Sequence, residues 1–206
     1  MISTILFDFD GTLADTELIV LNAVNKYADQ FGYKKVEDHN RFREMESLDV
    51  LKNELEIPIW KIPYIAWKAK IMAKTELKYA KLFPKIKEVI EKLQESYKVI
   101  IVTSNNKELV ENIFKKDKLK IDAISSSSFF IKDYQLMWVL RKFKLNKEEC
   151  VYVGDEIRDV KACNKVGIQI IGVSWGYNSA EALKKEGAEF IAKTPEDIIE
   201  IIKKKC

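Results

Sequence analysis

Cysteine and histidine are scarce in this sequence. Cys150, Cys163 and Cys206 are the three cysteines, and they show neither CxxC spacing nor an even number. We therefore expect buried or terminal thiols in a reducing compartment, which excludes a disulfide-stabilised secreted domain. The single histidine, His39, lies in a polar segment, where a surface position is expected rather than a metal ligand or a catalytic base.

Long apolar runs and an excess of one charge are also missing. With no signal peptide and no run long enough to span a bilayer, the sequence predicts a cytoplasmic protein without a membrane partner. Lysine and arginine number 35 against 32 acidic residues, and a net charge of +3 is not typical of a nucleic-acid-binding protein. Apolar residues make up 47% of the 206 residues, which is enough for a packed core. These features predict a folded protein and leave its oligomeric state open.

Two aspartates follow a short apolar run near the N-terminus. Residues 5–7 predict a buried strand, and Asp8 and Asp10 come directly after it. In an extended segment these two side chains share a face, unless a turn at Gly11 redirects the second. Carboxylates that lie close together and lose hydration repel each other and need compensation. A divalent cation is the simplest compensation, and oxygen ligands favour Mg²⁺.

From Pro84 onward, helical and strand patterns alternate. Helices are predicted over Lys85–Glu95, Lys107–Lys116, Asp133–Phe143, Ile157–Lys165 and Ala180–Glu186, with a last one that Thr194 caps. Strands are predicted over Lys98–Thr103, Ile121–Ile124, Cys150–Val153, Ile168–Val173 and Glu189–Ile191. Alternation of this kind implies right-handed crossovers and a parallel sheet covered on both faces. The predicted fold class is therefore α/β, with a doubly wound, Rossmann-like parallel sheet.

An all-helical stretch interrupts this pattern after the first strand. Its helices are predicted from Asp15 to Gly32, around Asp38–Glu44, over Ser47–Glu56 and from Trp60 to about Leu82. We interpret residues 15–81 as an inserted helical cap, and residues 1–14 together with 82–206 as the core domain. Four side chains on one face of the last cap helix are expected to pack inside the cap: Trp60, Tyr64, Trp67 and Ile71.

Polar residues follow two of the later predicted strands. Thr103, Ser104 and Asn105 end the strand at 98–103, where a hydroxyl and the amides of the next turn can bind phosphate oxygens. Asp155 and Asp159 follow the strand at 150–153 and would share one face at the start of a helix, where the helix dipole favours carboxylates. Helix capping alone would explain Asp159 better than Asp155. Since ligands bind at the carboxyl ends of parallel strands, these residues are expected near Asp8 and Asp10.

The order of these motifs resembles that of the haloacid dehalogenase superfamily of phosphatases, over the whole chain. The segment Asp8–Thr12 (DFDGT) is similar to the first motif of that family, and Thr103 stands at the position of the second. Lys132 follows the serine stretch 125–128 and occupies the place of the third-motif lysine, although Asp133 replaces the usual proline. The segment 151–159 (VYVGDEIRD) resembles the fourth motif.

This resemblance implies a role for each motif residue. Asp8 would be the nucleophile that forms an aspartyl-phosphate, and Asp10 the general acid and base. Mg²⁺ would be held by Asp8, Asp155 and the backbone carbonyl of Asp10. The phosphate would be bound by Thr103, Ser104, Asn105 and Lys132. Supporting positions would be Gly11, Thr12, Gly154 and Asp159, of which Asp159 would orient a water molecule or Lys132.

Three functions are open at this level. Asp10 favours phosphatases and phosphomutases, since other branches of the family lack an acid there. The first candidate is a phosphatase of a small phosphorylated metabolite; residues 173–178 resemble the phosphoglycolate-phosphatase-like branch, which makes 2-phosphoglycolate one candidate substrate. The alternatives are a phosphomutase and a non-catalytic binding protein. Within the cap, Arg41 and Arg43 are the candidate specificity residues.

Overall fold

A six-stranded parallel sheet forms the centre of the computed structural model, which describes residues 1–126 and 131–205. The strands are β1 (Thr4–Phe7), β2 (Ala14–Asp15), β3 (Lys81–Leu82), β4 (Lys98–Thr103), β5 (Ala123–Ser126), β6 (Cys150–Gly154), β7 (Gln169–Val173) and β8 (Phe190–Ala192). The sheet has the order β5-β4-β1-β6-β7-β8, and β2 and β3 form a separate ribbon. The α/β fold class with a parallel sheet is thereby confirmed.

Helices precede or follow each strand of the sheet. They are α1 (Glu17–Lys26), α2 (Ala28–Phe31), α3 (Ser47–Asp49), α4 (Ile62–Leu77), α5 (Ile86–Gln94), α6 (Lys107–Lys116), α7 (Lys132–Phe143), α8 (Ile157–Val166), α9 (Ala180–Glu186) and α10 (Pro195–Lys205). Side chains of β1 alternate between the two faces of the sheet. Ile5 and Phe7 pack with α5, α6 and α10, whereas Leu6 packs with α7, α8 and α9.

The strand order reverses at β1. Phe7 at its end lies opposite Ile101 of β4 and Val153 of β6. From β4 the sheet continues to β5, and from β6 it continues through β7 to β8. The carboxyl ends of β1, β4 and β6 are therefore neighbours at the reversal point, where open parallel sheets bind ligands.

The helical segment, residues 15–81, enters and leaves through the ribbon. In this ribbon Ala14 pairs with Leu82 and Asp15 pairs with Lys81, antiparallel. The first helix was predicted to start at Asp15, but Asp15 belongs to β2, and α1 begins only after Thr16. The two chain crossings therefore lie side by side, next to the carboxyl end of β1.

Two predicted helices of this segment end earlier than expected. The pattern at 47–56 gives only α3, followed by a π-helix over Val50–Glu54, in which the Leu55 N–H bonds to the Val50 carbonyl at 3.0 Å. The pattern from Trp60 gives a 3₁₀ turn (Ile59–Lys61) and then α4, which ends at Leu77. The chain must leave the helix there because Lys81 and Leu82 pair in the ribbon.

The expectation that four apolar side chains pack inside the cap is wrong. Trp60 is 76% exposed, and Tyr64, Trp67 and Ile71 are each 49% exposed. The helix α4 instead buries its opposite side, where the small Ala69 and Ala73 pack against Ala23 of α1. Small side chains allow the two helix backbones to approach closely, and this leaves the aromatic stripe on the outside.

Smaller differences concern the core. The strand predicted at 121–124 begins two residues later as β5, so Ser125 and Ser126 belong to it, and residues 127 and 128 of the serine stretch lie outside the described residues. Cys150 and Cys163 are buried free thiols as expected, and Cys206 also lies outside the described residues. Within the described part of the chain, no helix has the length and apolar character needed to cross a membrane.

Candidate active site

Asp8 lies directly after β1 and contacts a buried lysine. Its backbone N–H bonds to the Val153 carbonyl at 2.9 Å, which continues the pairing with β6. The Nζ of Lys132 donates to Asp8 Oδ1 at 2.7 Å and lies 3.0 Å from Asp159 Oδ1. All three side chains are less than 10% exposed. One ammonium group thus lies between two carboxylates at the reversal point of the sheet.

Asp155 is fully buried beside this pair. Its Oδ1 accepts from the Thr12 hydroxyl at 2.6 Å, and its Oδ2 accepts from the Tyr177 N–H at 2.8 Å. Asp8, Asp155 and Asp159 each present a carboxylate oxygen within 4.8 Å of the others. Asp8 and Asp155 are 147 residues apart in the sequence. The pairing of β1 with β6 therefore brings their carboxylates together.

The charges in this cluster do not balance. Burial raises the pKa of the Asp155 carboxyl well above its ordinary range, and neighbouring carboxylates add to that effect. Burial also raises the pKa of Asp8, although the Lys132 charge opposes it. Burial alone would lower the pKa of Lys132, but Asp159 and Asp8 outweigh it and raise the pKa above its usual value. Three buried carboxylates around one ammonium are a donor set that fits a divalent cation with hard oxygen ligands.

Asp10 is anchored by a side chain of the loop after β4. The Asn105 amide donates to Asp10 Oδ2 at 2.6 Å. The other oxygen, Oδ1, is buried and has no hydrogen-bond partner among the described residues. Burial raises the pKa of Asp10, which favours the protonated acid. Asp10 is therefore a carboxyl group with one anchored oxygen and one oxygen available to a ligand.

The remaining phosphate-binding candidates lie at the end of β4. The Thr103 side chain is buried, and its hydroxyl oxygen accepts from the Asn105 N–H at 3.0 Å, which leaves the hydroxyl proton for another acceptor. Ser104 is exposed and faces the same cavity as Asp10. Asn105 was expected to bind phosphate, and in the structure its side-chain amide contacts Asp10.

Close packing explains the small residues around the carboxylates. A Cβ on Gly154 would lie 2.6 Å from Asp159 Oδ2. The same oxygen accepts from the Glu156 N–H at 3.2 Å, at the start of α8. Asp159 is thereby oriented by the helix start, with its other oxygen toward Lys132.

Gly11 has a more severe constraint, because its φ is +72° and a Cβ there would lie 2.2 Å from Asp155 Oδ2. We expect Gly11→Ala to lower the free energy of unfolding by about 1 kcal/mol for the backbone conformation and about 1–3 kcal/mol more for the overlap. Gly32→Ala is the matched control, since Gly32 has a φ of +71° with no atom within 4 Å of the added Cβ. Urea unfolding of both variants separates the cost of the backbone conformation from the cost of the steric overlap. Equal destabilisation of the two variants would show that the overlap costs nothing.

The loop after β7 contains site residues that the sequence did not identify. Besides the Tyr177 amide, Trp175 Nε1 donates to the Thr12 carbonyl at 3.0 Å. Asn178 accepts from the Ile157 N–H at 2.9 Å and donates to the carbonyls of Arg43 at 2.9 Å and Met45 at 2.8 Å. This loop therefore supports the first motif and also joins the helical segment to the start of α8. The resemblance at 173–178 pointed to the loop but gave no role for its side chains.

Two further contacts join the helical segment to the core. Ser47 Oγ donates to Glu156 Oε2 at 2.6 Å, and Glu156 is buried and pairs with Arg158. The Arg158 side chain is 45% exposed. The Arg43 guanidinium donates to the Ser174 carbonyl at 3.0 Å, and Arg41 forms a surface ion pair with Glu54. Neither Arg41 nor Arg43 is among the described residues that line the cavity next to Asp10.

The comparisons with known proteins agree with this arrangement. The family model described as haloacid dehalogenase-like hydrolase matches residues 5–173. A phosphoglycolate phosphatase of Synechococcus elongatus is 26% identical over 96% of both chains. A phosphorylated carbohydrates phosphatase of Thermotoga maritima is 27% identical over 97% of both chains. Among solved structures, a predicted phosphatase from Clostridium acetobutylicum superimposes with a TM-score of 0.83 over 98% of both chains at 22% identity, which shows a shared fold.

Proposed function

The chain belongs to the haloacid dehalogenase-like hydrolase family, and we propose that it is a Mg²⁺-dependent phosphatase that hydrolyses a small phosphate monoester through an aspartyl-phosphate. The observation that carries this proposal is the buried cluster of Asp8, Lys132, Asp159 and Asp155, with Asp10 held beside it by Asn105. A cluster of this kind is unfavourable for folding on its own, since buried carboxylates lose hydration. It is suited to an anionic phosphoryl group and a cation.

The first half-reaction uses both aspartates of the first motif. An Asp8 carboxylate oxygen attacks phosphorus, and the bond from phosphorus to the leaving oxygen breaks. Asp10 gives its proton to that oxygen as the bond breaks, and burial, which raises the pKa of this carboxyl, favours the form that carries the proton. Mg²⁺, held by Asp8, Asp155 and the Asp10 backbone carbonyl, would neutralise charge so that an anion can attack an anion.

The second half-reaction restores the enzyme. The Asp10 carboxylate takes a proton from water as the water oxygen attacks phosphorus, and the acyl phosphate bond to Asp8 breaks. Lys132 and Thr103, with Ser104 and the Asn105 amide, stabilise the phosphoryl oxygens in both steps. Asp159 acts through Lys132, which it holds at 3.0 Å.

Residues 15–81 act as a cap over this site in the proposal, on a core of residues 1–14 and 82–206. The ribbon of β2 and β3 is the hinge candidate, because both crossings lie there. Contacts of Asn178 with Arg43 and Met45 support a closed arrangement of cap and core. Phosphate release, rather than formation of an isomeric phosphate ester, separates a phosphatase from a phosphomutase and is the primary test.

Metal removal should abolish turnover. We expect chelator-treated protein to be inactive and Mg²⁺ to restore it, with Asp155→Asn raising the Mg²⁺ concentration for half-maximal activity by at least about 10–100-fold. Asp133→Asn is the matched control, because Asp133 is also a buried carboxylate but pairs with Lys165 at 2.5 Å. Thermal unfolding as a function of Mg²⁺ gives a second reading, because a bound cation stabilises the folded state. Full turnover after chelation would reject the metal assignment.

A further inference from the structure

A cavity of 370 Å³ begins at the catalytic aspartate and extends into the helical segment. Asp10, Ser104 and Asn105 line its base, together with Tyr177 and Asn178 of the loop after β7. Its volume falls in the range of about 300–1,000 Å³ that is usual for ligand pockets. The cavity is therefore continuous with the site at which the leaving group of a phosphate ester would be released.

The cap part of the cavity is lined by aliphatic side chains from three sides. Val20 and Leu21 belong to α1, Leu51 and Leu55 to the π-helix region, and Ile65 and Ala69 to α4. Leu55 and Ile65 are each 2% exposed, so part of the cavity wall belongs to the apolar core of the cap. Folded proteins contain few voids larger than a water molecule, because lining atoms without neighbours lose dispersion contacts. An apolar ligand group in this cavity would supply the contacts that its aliphatic lining lacks.

The charges around the cavity disfavour an anionic leaving group. Arg158 is the cation among the described lining residues, and it is paired with Glu156. Glu17 and Asp10 contribute two further acids to the lining. Arg41 and Arg43, which would suit a carboxylate, contact Glu54 and Ser174 instead. Among the described lining residues, a carboxylate would therefore lose hydration and find only Arg158, which is already paired, as a cationic partner.

We propose that the cap cavity binds the leaving group of the substrate, and that this group is an uncharged alcohol or phenol with an aliphatic or aromatic body. The inference rests on the proposed phosphatase function and narrows its substrate class. The ester oxygen would lie at Asp10, which protonates it as the bond to phosphorus breaks. The released alcohol then leaves the position at Asp10, so that water can enter there and attack the phosphoryl group on Asp8. Small anionic esters such as 2-phosphoglycolate would gain nothing from this cavity.

The test uses phenyl phosphates with methyl, ethyl, propyl and butyl groups in the 4-position. Their leaving groups have nearly equal acidity, so the chemical step is held constant while the apolar body grows. We expect kcat/KM for phosphate release to rise about fourfold for each added methylene. The matched anionic substrate is 4-(3-carboxypropyl)phenyl phosphate, which is as long as the butyl ester and ends in a carboxylate. It should react at least tenfold more slowly than the butyl ester, as should 2-phosphoglycolate.

Two variants test whether the dependence on alkyl length arises in the cavity. Leu51 lines the cavity, whereas Leu48, three residues earlier, is 53% exposed and is not among the described lining residues. Leu51→Lys should remove the dependence on alkyl length and favour the carboxypropyl ester over the butyl ester. Leu48→Lys should behave as wild type. Should Leu51→Lys unfold in a thermal scan, Leu51→Gln tests the same loss of alkyl dependence.

Binding measurements separate this inference from the proposed function. The non-hydrolysable 4-alkylphenylphosphonates are titrated calorimetrically into the wild-type protein, and affinity should rise with alkyl length while the heat capacity of binding becomes more negative. Phosphate release with equal kcat/KM across the alkyl series, or a preferred carboxypropyl ester, would overturn the inference and leave the phosphatase intact. Absence of phosphate release from every ester would reject the phosphatase, and the phosphonate series would still decide whether the cavity binds apolar groups.

Discussion

Asp8→Asn protein is expected to show neither turnover nor a phosphoenzyme. An amide oxygen at this position is a poor nucleophile, so the covalent route is closed. Loss of the nucleophile from a covalent hydrolase costs on the order of 10⁶-fold in kcat. The measurement is phosphate release from 4-nitrophenyl phosphate with saturating Mg²⁺, together with intact-protein mass spectrometry after acid quench.

The folded structure should survive this substitution. Asn has the shape of Asp, and the Lys132 ammonium keeps its contact with Asp159. The change also removes one of three buried carboxylates whose mutual repulsion disfavours the folded state. We therefore expect an unfolding midpoint close to that of wild type. Asp133→Asn is again the control, because it removes a buried carboxylate outside the site. A folded Asp8→Asn protein with appreciable turnover would show that another residue is the nucleophile.

The sequence predicts the sheet well because its strands are short apolar runs between polar turns. Strands buried on both faces give such runs, and β4, β6 and β7 lie within one residue of their predicted bounds. The site carboxylates could be located for the same reason, since each follows a strand whose end lies at the reversal point. In a parallel sheet, residues that directly follow neighbouring strands therefore lie close together in space.

The cap was less predictable because a stripe of apolar side chains does not specify which face is buried. The aromatic stripe of α4 looked like the packing face, but close contact with α1 depends on Ala69 and Ala73. The ribbon escaped prediction because two-residue strands leave no periodic pattern. Its pairing of Ala14 with Leu82 depends on where the cap ends.

Contacts between side chains that are distant in the sequence could not be predicted either. The bond from Asn105 to Asp10 spans 95 positions, and that from Tyr177, in the loop after β7, to Asp155 spans 22. Arg41 and Arg43 illustrate the opposite case, because a guanidinium in a cap suggested a ligand for carboxylates. In the folded chain, Arg41 pairs with Glu54, and Arg43 donates to the Ser174 carbonyl. Their role in specificity remains a prediction, and the charges of the cavity favour an uncharged leaving group.

Asp10→Asn should fail differently from Asp8→Asn, and this difference tests the assigned roles most directly. The variant keeps the nucleophile but loses the proton donor of the first half-reaction and the base of the second. The Asn105 amide that now donates to Asp10 Oδ2 at 2.6 Å can donate equally to an amide oxygen, so the side chain should stay in place. Each general acid–base role contributes on the order of 10²–10⁴-fold to the rate.

With 4-nitrophenyl phosphate, the leaving group scarcely needs a proton, so the first half-reaction of Asp10→Asn should partly survive. Water attack should stall, because no base accepts its proton, and the aspartyl-phosphate should accumulate. Peptide mass spectrometry should find one added phosphoryl group on the peptide that contains Asp8. The control is Asn105→Ala, which frees the Asp10 carboxyl without removing it and should slow both half-reactions without accumulation. Label on Asp155, label on Asp10 in the wild-type protein, or no label in any variant would overturn the division of roles between the two aspartates.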